Sequence, residues 1–295
     1  MIGEPFEQEK QRHFALQEDP LPPEVEVEKE EDAQEKAQET LLKAKGKVIR
    51  LLFKFALLFL HMLISVVIGA LNEEKYIGKT LASLQKQNTT FRYEMIVGDG
   101  YSSDKTVSIA RKFGAKVVKE KNRSAAWERQ AGAKTAKGEI IAFSDADAEF
   151  PSDWVQNAAL EFEKDEKLVM LYGPVYFSDT PSIEKSLSKI SMMLYLAVLS
   201  FLGIHNPIGS NMVVRRKEFE KIGGLDTSLV TCEDLDLAKR MKPLGKVKFV
   251  PGVFVNVSAR RIKKWGYIRF TVFHIINGLR FQFTGKAEHR YEPVR

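Results

Sequence analysis

Leu63-Ile-Ser-Val-Val-Ile-Gly-Ala70-Leu71-Asn72-Glu73-Glu74 is the stretch whose reading decides the fold. Leu63–Ile68 is short, apolar and rich in β-branched residues, which predicts a buried strand. Asn72-Glu73-Glu74 follows as the start of a helix. Downstream the same unit recurs. Lys75–Lys86 reads as a helix, Tyr93–Val97 as a strand, Asp104–Phe113 as a helix and Lys116–Lys119 as a strand. Ser124–Ala136 is then a helix, Ile140–Phe143 a strand and Trp154–Lys164 a helix. Strands alternating with helices predict an α/β fold with a mostly parallel central sheet and helices on both faces. Ligands of such sheets bind beyond the carboxyl ends of the strands.

Upstream of the first strand, Leu51–Ala70 reads LLFKFALLFLHMLISVVIGA with only Lys54 charged. Once Leu63–Ile68 is given to the sheet, Val48–His61 remains, about 21 Å as a helix. That is short of the roughly 30 Å hydrocarbon core of a bilayer. Lys45, Lys47, Arg50 and Lys54 flank or interrupt it, so residues 46–61 read as a membrane-surface or core-docked helix rather than a span. Residues 1–45 hold Glu-rich stretches and the Pro20-Leu21-Pro22-Pro23 break, the composition of a flexible acidic arm. Met62 is an alternative natural start, and no cleavable signal peptide is apparent.

The 295 residues are 44% hydrophobic and 28% charged, which suits one globular domain with additions. The net charge of +6 is uneven: residues 1–45 carry 13 acidic and 6 basic side chains, leaving a body of +13. A basic body fits phosphate-bearing ligands or an anionic membrane surface. Nucleic acid finds no support in zinc spacing, an RNP-like aromatic stripe or a basic arm. Cys232 is the single cysteine, which excludes an internal disulfide and a thiolate metal cage and fits a reducing compartment.

Three segments carry candidate chemistry. Glu94–Thr106 is a strand ending in Asp99, a turn, and a helix that Ser103 or Asp104 can cap. Asp99 is either turn chemistry or a contact to a nucleotide base. Ile140-Ile-Ala-Phe-Ser-Asp145-Ala-Asp147 is a buried strand ending in two carboxylates. Alternation along an extended backbone puts both on one face. Their repulsion there is relieved by a hard divalent cation bridging to a diphosphate. Thr231–Arg240 opens a helix with Glu233 and Asp234, which complement its positive end or serve catalysis.

Taken in order, Ile64–Glu74, Asp99–Thr106, Ala126-Trp-Glu-Arg129-Gln-Ala-Gly132, Asp145-Ala-Asp147 and Glu233-Asp234 resemble family 2 glycosyltransferases of the GT-A fold. The resemblance runs from about Ile64 to Arg261. It implies that Ala70, Glu73 and Asp99 hold the nucleotide base and that Asp145 touches ribose or sugar. Asp147, with Asp145 beside it, would bind Mg²⁺ or Mn²⁺. Arg129 would lie near the diphosphate, and Asp234 would be the general base with Glu233 next to it. Residues 62–257 would be the catalytic domain and 258–295 a basic-aromatic helical region. Gly69, Gln130 and Ala148 depart from the family's usual proline, asparagine and acid. The Gln-x-x-Arg-Trp signature of processive synthases is missing, which implies transfer of a single sugar; a single in-line displacement with Asp234 as base implies inversion.

Ile183–Ile204 is apolar in its second half, and Ser258–Arg269 packs five basic residues among aromatics before Phe270–Phe283. These are core helices with a solvated basic face, or an interfacial surface presenting cations to lipid phosphates. The second reading makes a lipid-linked acceptor, polyprenyl-bound or other, and a place at the cytoplasmic face of a membrane the expectation. Two alternatives remain: a non-catalytic nucleotide-sugar or phospholipid-binding module of the same fold, and a nucleotidyltransferase. The latter lacks its Gly-rich basic loop, where Asn72-Glu73-Glu74 stands.

Overall fold

A computed structural model describes residues 36, 38–52, 62–179, 182–289 and 291. The chain divides into two units, Met1–Ala56 and Leu57–Arg295. In the first, helix α1 (residues 38–52) exposes Leu41, Leu42, Val48, Ile49 and Leu52. The arm expected over residues 1–45 and the helix expected over 46–61 lie largely outside the described residues.

The second unit begins with β1 (Leu63–Ala70), α2 (Ile77–Gln85), β2 (Arg92–Asp99), α3 (Thr106–Lys112), β3 (Lys116–Lys119) and α4 (Ala125–Ala133). β4 (Ile140–Asp145), β5 (Ala148–Glu149), α5 (Trp154–Lys164), β6 (Leu168–Tyr172) and β7 (Val175–Phe177) follow. The rest is α6 (Ser182–Phe201), β8 (Met212–Arg215), α7 (Arg216–Lys221), α8 (Glu233–Met241), β9 (Lys246–Phe249), β10 (Val255–Val257), α9 (Arg260–Trp265) and α10 (Tyr267–Thr284).

Seven strands form one sheet in the order β3-β2-β1-β4-β8-β6-β9. Only β8 runs against its neighbours β4 and β6. Period-two alternation explains the layers. Ile64, Val66, Ile68, Ile140 and Ala142 face a cluster with Ile77, Leu81 and Leu84 of α2 and Trp154 and Phe162 of α5. Val67, Ile141 and Phe143 face the other way, against Leu196 of α6, Phe219 of α7 and Leu237 and Met241 of α8. The sheet is thus mostly parallel and covered on both faces, as the alternation predicts. A second sheet, β5-β10-β7, lies beyond the carboxyl end of β4. Among the described residues no helix is long and apolar enough to cross a membrane.

Candidate active site

β1 lies between β2 and β4, with Ala70 opposite Asp99 and Gly69 opposite Asp145. Ala70, Asp99 and Asp145 therefore converge at one edge, the carboxyl ends of three parallel strands. The buried Asp99 carboxylate accepts the Ser102 N–H at 3.2 Å. The loops after β1 and β2 lock together. The Asn72 side chain accepts the Ser103 N–H at 2.8 Å, and the Glu73 N–H donates to Thr106 Oγ1 at 2.7 Å. Asp104 accepts the Thr106 N–H at 2.9 Å from the turn before the helix. The N-cap position falls on Lys105, however, not on Ser103 or Asp104 as expected from sequence, and carries no side-chain cap. Glycine at 98 is obligatory, since a Cβ there would stand 1.9 Å from the Glu128 carbonyl oxygen. That close approach seats α4 on the strand ends and aims its next residue, Arg129, into the site.

Arg129 is 3% exposed and is the hub. One terminal nitrogen donates to Glu233 at 2.8 Å, and the other is paired with Asp145. Ser210 Oγ donates to the second Asp145 oxygen at 2.5 Å. Gly209 leaves room for the guanidinium, because a Cβ would lie 2.7 Å from its nearest nitrogen. Burial alone would raise the Asp145 pKa, but the Arg129 charge and these hydrogen bonds hold it below the usual carboxylate range. Asp234 is its counterpart. Burial and the adjacent Glu233 charge push it up, against hydrogen bonds it accepts from Leu235 N–H at 2.8 Å and Gly209 N–H at 2.9 Å. Gln130, which departs from the family's asparagine, accepts the Leu225 N–H at 2.9 Å and holds the Gly223-Gly224 turn.

The sequence reading did not assign Arg260 to this site. It donates to both oxygens of Glu73 at 2.6 and 2.7 Å and pairs with Asp147 at 3.2 Å. Its position 187 residues from Glu73, inside a run of lysines and arginines, carried no signal of this. The geometry around Asp147 also differs from the expectation. β4 ends at Asp145 and the backbone turns at Ala146-Asp147, so strand alternation does not apply. Asp145 and Asp147 are relieved by separate arginines rather than facing one another on a strand.

Burial, opposed by Arg260 and reinforced by Asp145 and Glu73, pushes the Asp147 carboxyl up to about 7. A carboxyl whose pKa is raised on folding keeps its proton longer in the native state. Stability therefore falls as pH rises from about 4 to about 7. In chelator, Asp147→Asn should melt above the wild type at pH 8, and the two should converge near pH 4. Parallel melting curves across that range would refute the shift.

A mostly parallel sheet with helices on both faces and carboxylate–arginine pairs at its strand ends is the framework that the comparisons match. The sequence profile of glycosyl transferase family 2 matches residues 65–223, and the chain belongs to that family. An uncharacterized glycosyltransferase of Haemophilus influenzae is 26% identical over 195 residues, covering 64% of each chain. The beta-monoglucosyldiacylglycerol synthase of Trichormus variabilis is 29% identical over 200 residues, 60% of this chain and 41% of the relative. The chain thus spans less than two thirds of the length of either relative. A mannosyltransferase from Pyrobaculum calidifontis in complex with GDP-Man and Mn²⁺ superposes with a TM-score of 0.58 at 21% identity. It covers 76% of this chain and 65% of that one.

The donor set suits a divalent cation. Asp145, Asp147, Glu73, Glu233 and Asp234, if all ionised, would outnumber their ion-pair partners Arg129 and Arg260 by three charges. A dianionic diphosphate adds to that excess, and a hard cation with oxygen ligands offsets it. Among the described residues no three His, Cys, Asp or Glu side chains form a complete metal cage.

Proposed function

We propose that the protein transfers one sugar, with inversion, from a nucleotide-sugar donor to a hydroxyl or phosphate of a lipid-linked acceptor. The observation that carries this is Arg129 binding Asp145 and Glu233 together at the strand ends, with Asp234 held beside them by two backbone amides. Ala70, Glu73 and Asp99 border the position for the nucleotide base, and Asp145 that for ribose or sugar. Asp147, with Asp145 adjacent, would hold Mg²⁺ or Mn²⁺, which would supply Lewis-acid neutralisation of the departing diphosphate. Residues 62–257 would form the catalytic domain, with 258–295 as a basic-aromatic adjunct.

Arg129 is already matched by carboxylates, so its work is to lock their positions rather than to carry free charge to the donor. Asp234, made more basic by burial and by Glu233, takes the proton of an acceptor hydroxyl as its oxygen bonds to the anomeric carbon. The bond to the diphosphate oxygen breaks on the opposite face, which inverts the centre. An ionised phosphate acceptor has no such proton, and Asp234 would then orient it. The lipid acceptor is supported by the name of the diacylglycerol-glycosylating relative and by the apolar helices described below. On this reading the protein works at the cytoplasmic face of a membrane.

Incubation with a panel of nucleotide sugars and Mn²⁺ or Mg²⁺ should release one nucleoside diphosphate preferentially. Release from none of them would sink the transferase reading in favour of a binding module. Asp147→Asn should abolish release and weaken nucleoside-diphosphate binding in metal, while binding in EDTA stays nearly unchanged. Wild-type activity that is the same with and without chelator would refute the metal assignment.

A further inference from the structure

α6 turns Met192, Tyr195 and the fully buried Leu196 toward the core beneath the sheet. An ordinary surface helix is polar on its opposite face. Here Ile190, Leu194, Val198 and Phe201, spaced four, four and three residues apart, point outward with 48–90% of their surface exposed. α10 repeats the pattern. Asn277, Gly278 and Phe281 face inward, whereas Ile268, Val272, Ile276, Leu279 and Phe283 are 45–83% exposed. The helices are linked, since Gln282 of α10 donates to the His205 carbonyl just after α6 at 3.2 Å. Apolar rows of this length on two linked helices exceed the scattered single exposures of an ordinary surface.

Charge selects the occupant. From Arg260 to Ala287 the chain carries seven basic residues and no acidic one. Arg260 is engaged in the site, Lys263 pairs with Asp179 and Arg280 with Glu288, which leaves Arg261, Lys264, Arg269 and Lys286 as the charge of this region. Lys264 and Arg269 are exposed next to the start of α10. A second copy docking here would bring like charges together, whereas an anionic lipid surface satisfies both the apolar residues and the cations. We propose that α6 and α10 form an interfacial docking face for an anionic bilayer. It rests on the transferase reading only for its purpose. On its inward face α10 is tied to the loop before α8, since Asn277 donates to Thr231 Oγ1 at 3.0 Å, two residues before Glu233.

The test is sedimentation of the full chain with vesicles of phosphatidylcholine and phosphatidylglycerol in equal amounts, or of phosphatidylcholine alone. The wild type should partition strongly onto the mixed vesicles and weakly onto the neutral ones. Phe201→Ser with Phe283→Ser should lower the mixed-vesicle partition coefficient by at least roughly tenfold. Lys264→Gln with Arg269→Gln should lower it by roughly 25-fold, with little change on neutral vesicles. No wild-type binding at low salt, or undiminished binding by the Phe201→Ser/Phe283→Ser variant, overturns the proposal. A wild-type dimer that these serine substitutions dissociate also overturns it, since a second copy then covers the face. Nucleoside-diphosphate titration of the same samples, without vesicles, reports on the transferase reading separately.

Discussion

Arg129→Met is expected to lower the melting temperature sharply, with a loss of about 3–5 kcal/mol, the usual cost of leaving buried charges without their partner. Asp145 and Glu233 would both lose the guanidinium that Arg129 presents to them. The loss should depend on pH. In the wild type Asp145 is held below its ordinary value of 3.8, so its contribution is complete above that pH and is lost as pH falls through the depressed value. The gap between wild type and Arg129→Met should therefore be wide at pH 7 and narrow in acid. Adding Asp145→Asn should recover part of it, because the two residues are coupled. Thermal melts of all three proteins between pH 3 and 7 decide the matter. An unaltered melting temperature at pH 7 would show that Arg129 does not hold this site together.

Asp234→Asn should reduce the transfer rate by about 10²-fold or more, the lower end of what a general base contributes. Donor affinity should barely move, because proton removal belongs to the transition state. Glu233→Gln is the informative comparison. Read from sequence, Glu233 merely complements a helix start, worth about 0.3–1 kcal/mol. In the structure its side chain reaches Arg129 instead, so losing its charge should cost nearer 1.5–3 kcal/mol of stability. Calorimetric donor affinity and nucleoside-diphosphate release separate the outcomes. A dead Glu233→Gln beside an active Asp234→Asn would mean that the base is Glu233. If both stay active, the base lies elsewhere or the acceptor is an ionised phosphate.

Much of the site was legible because its residues punctuate local elements. Asp99 and Asp145 end strands, and Glu233 and Asp234 open a helix, whereas Arg129, inside α4, came only from the family resemblance. The inward faces of the strands could likewise be read, since alternation along an extended backbone assigns each side chain to a layer. That same rule does not extend to Asp147, two residues beyond the end of the extended backbone, where the turn sets the side chain's direction.

β6, β8 and β9 were not assigned from sequence, nor was the antiparallel insertion of β8 between β4 and β6. These strands are short, and their place depends on partners far away along the chain. Arg260 belongs with them: its two contacts reach Glu73 and Asp147 from another part of the chain, and no local period encodes such a meeting. Periodicity and strand-end carboxylates, which depend on neighbours a few residues away, were enough to determine the layered α/β architecture and the family resemblance. Which arginine neutralises which carboxylate, and which helix faces stay apolar and exposed, depended on long-range packing. Only the tertiary structure decided those, because charges and apolar surfaces interact across space without regard to chain order.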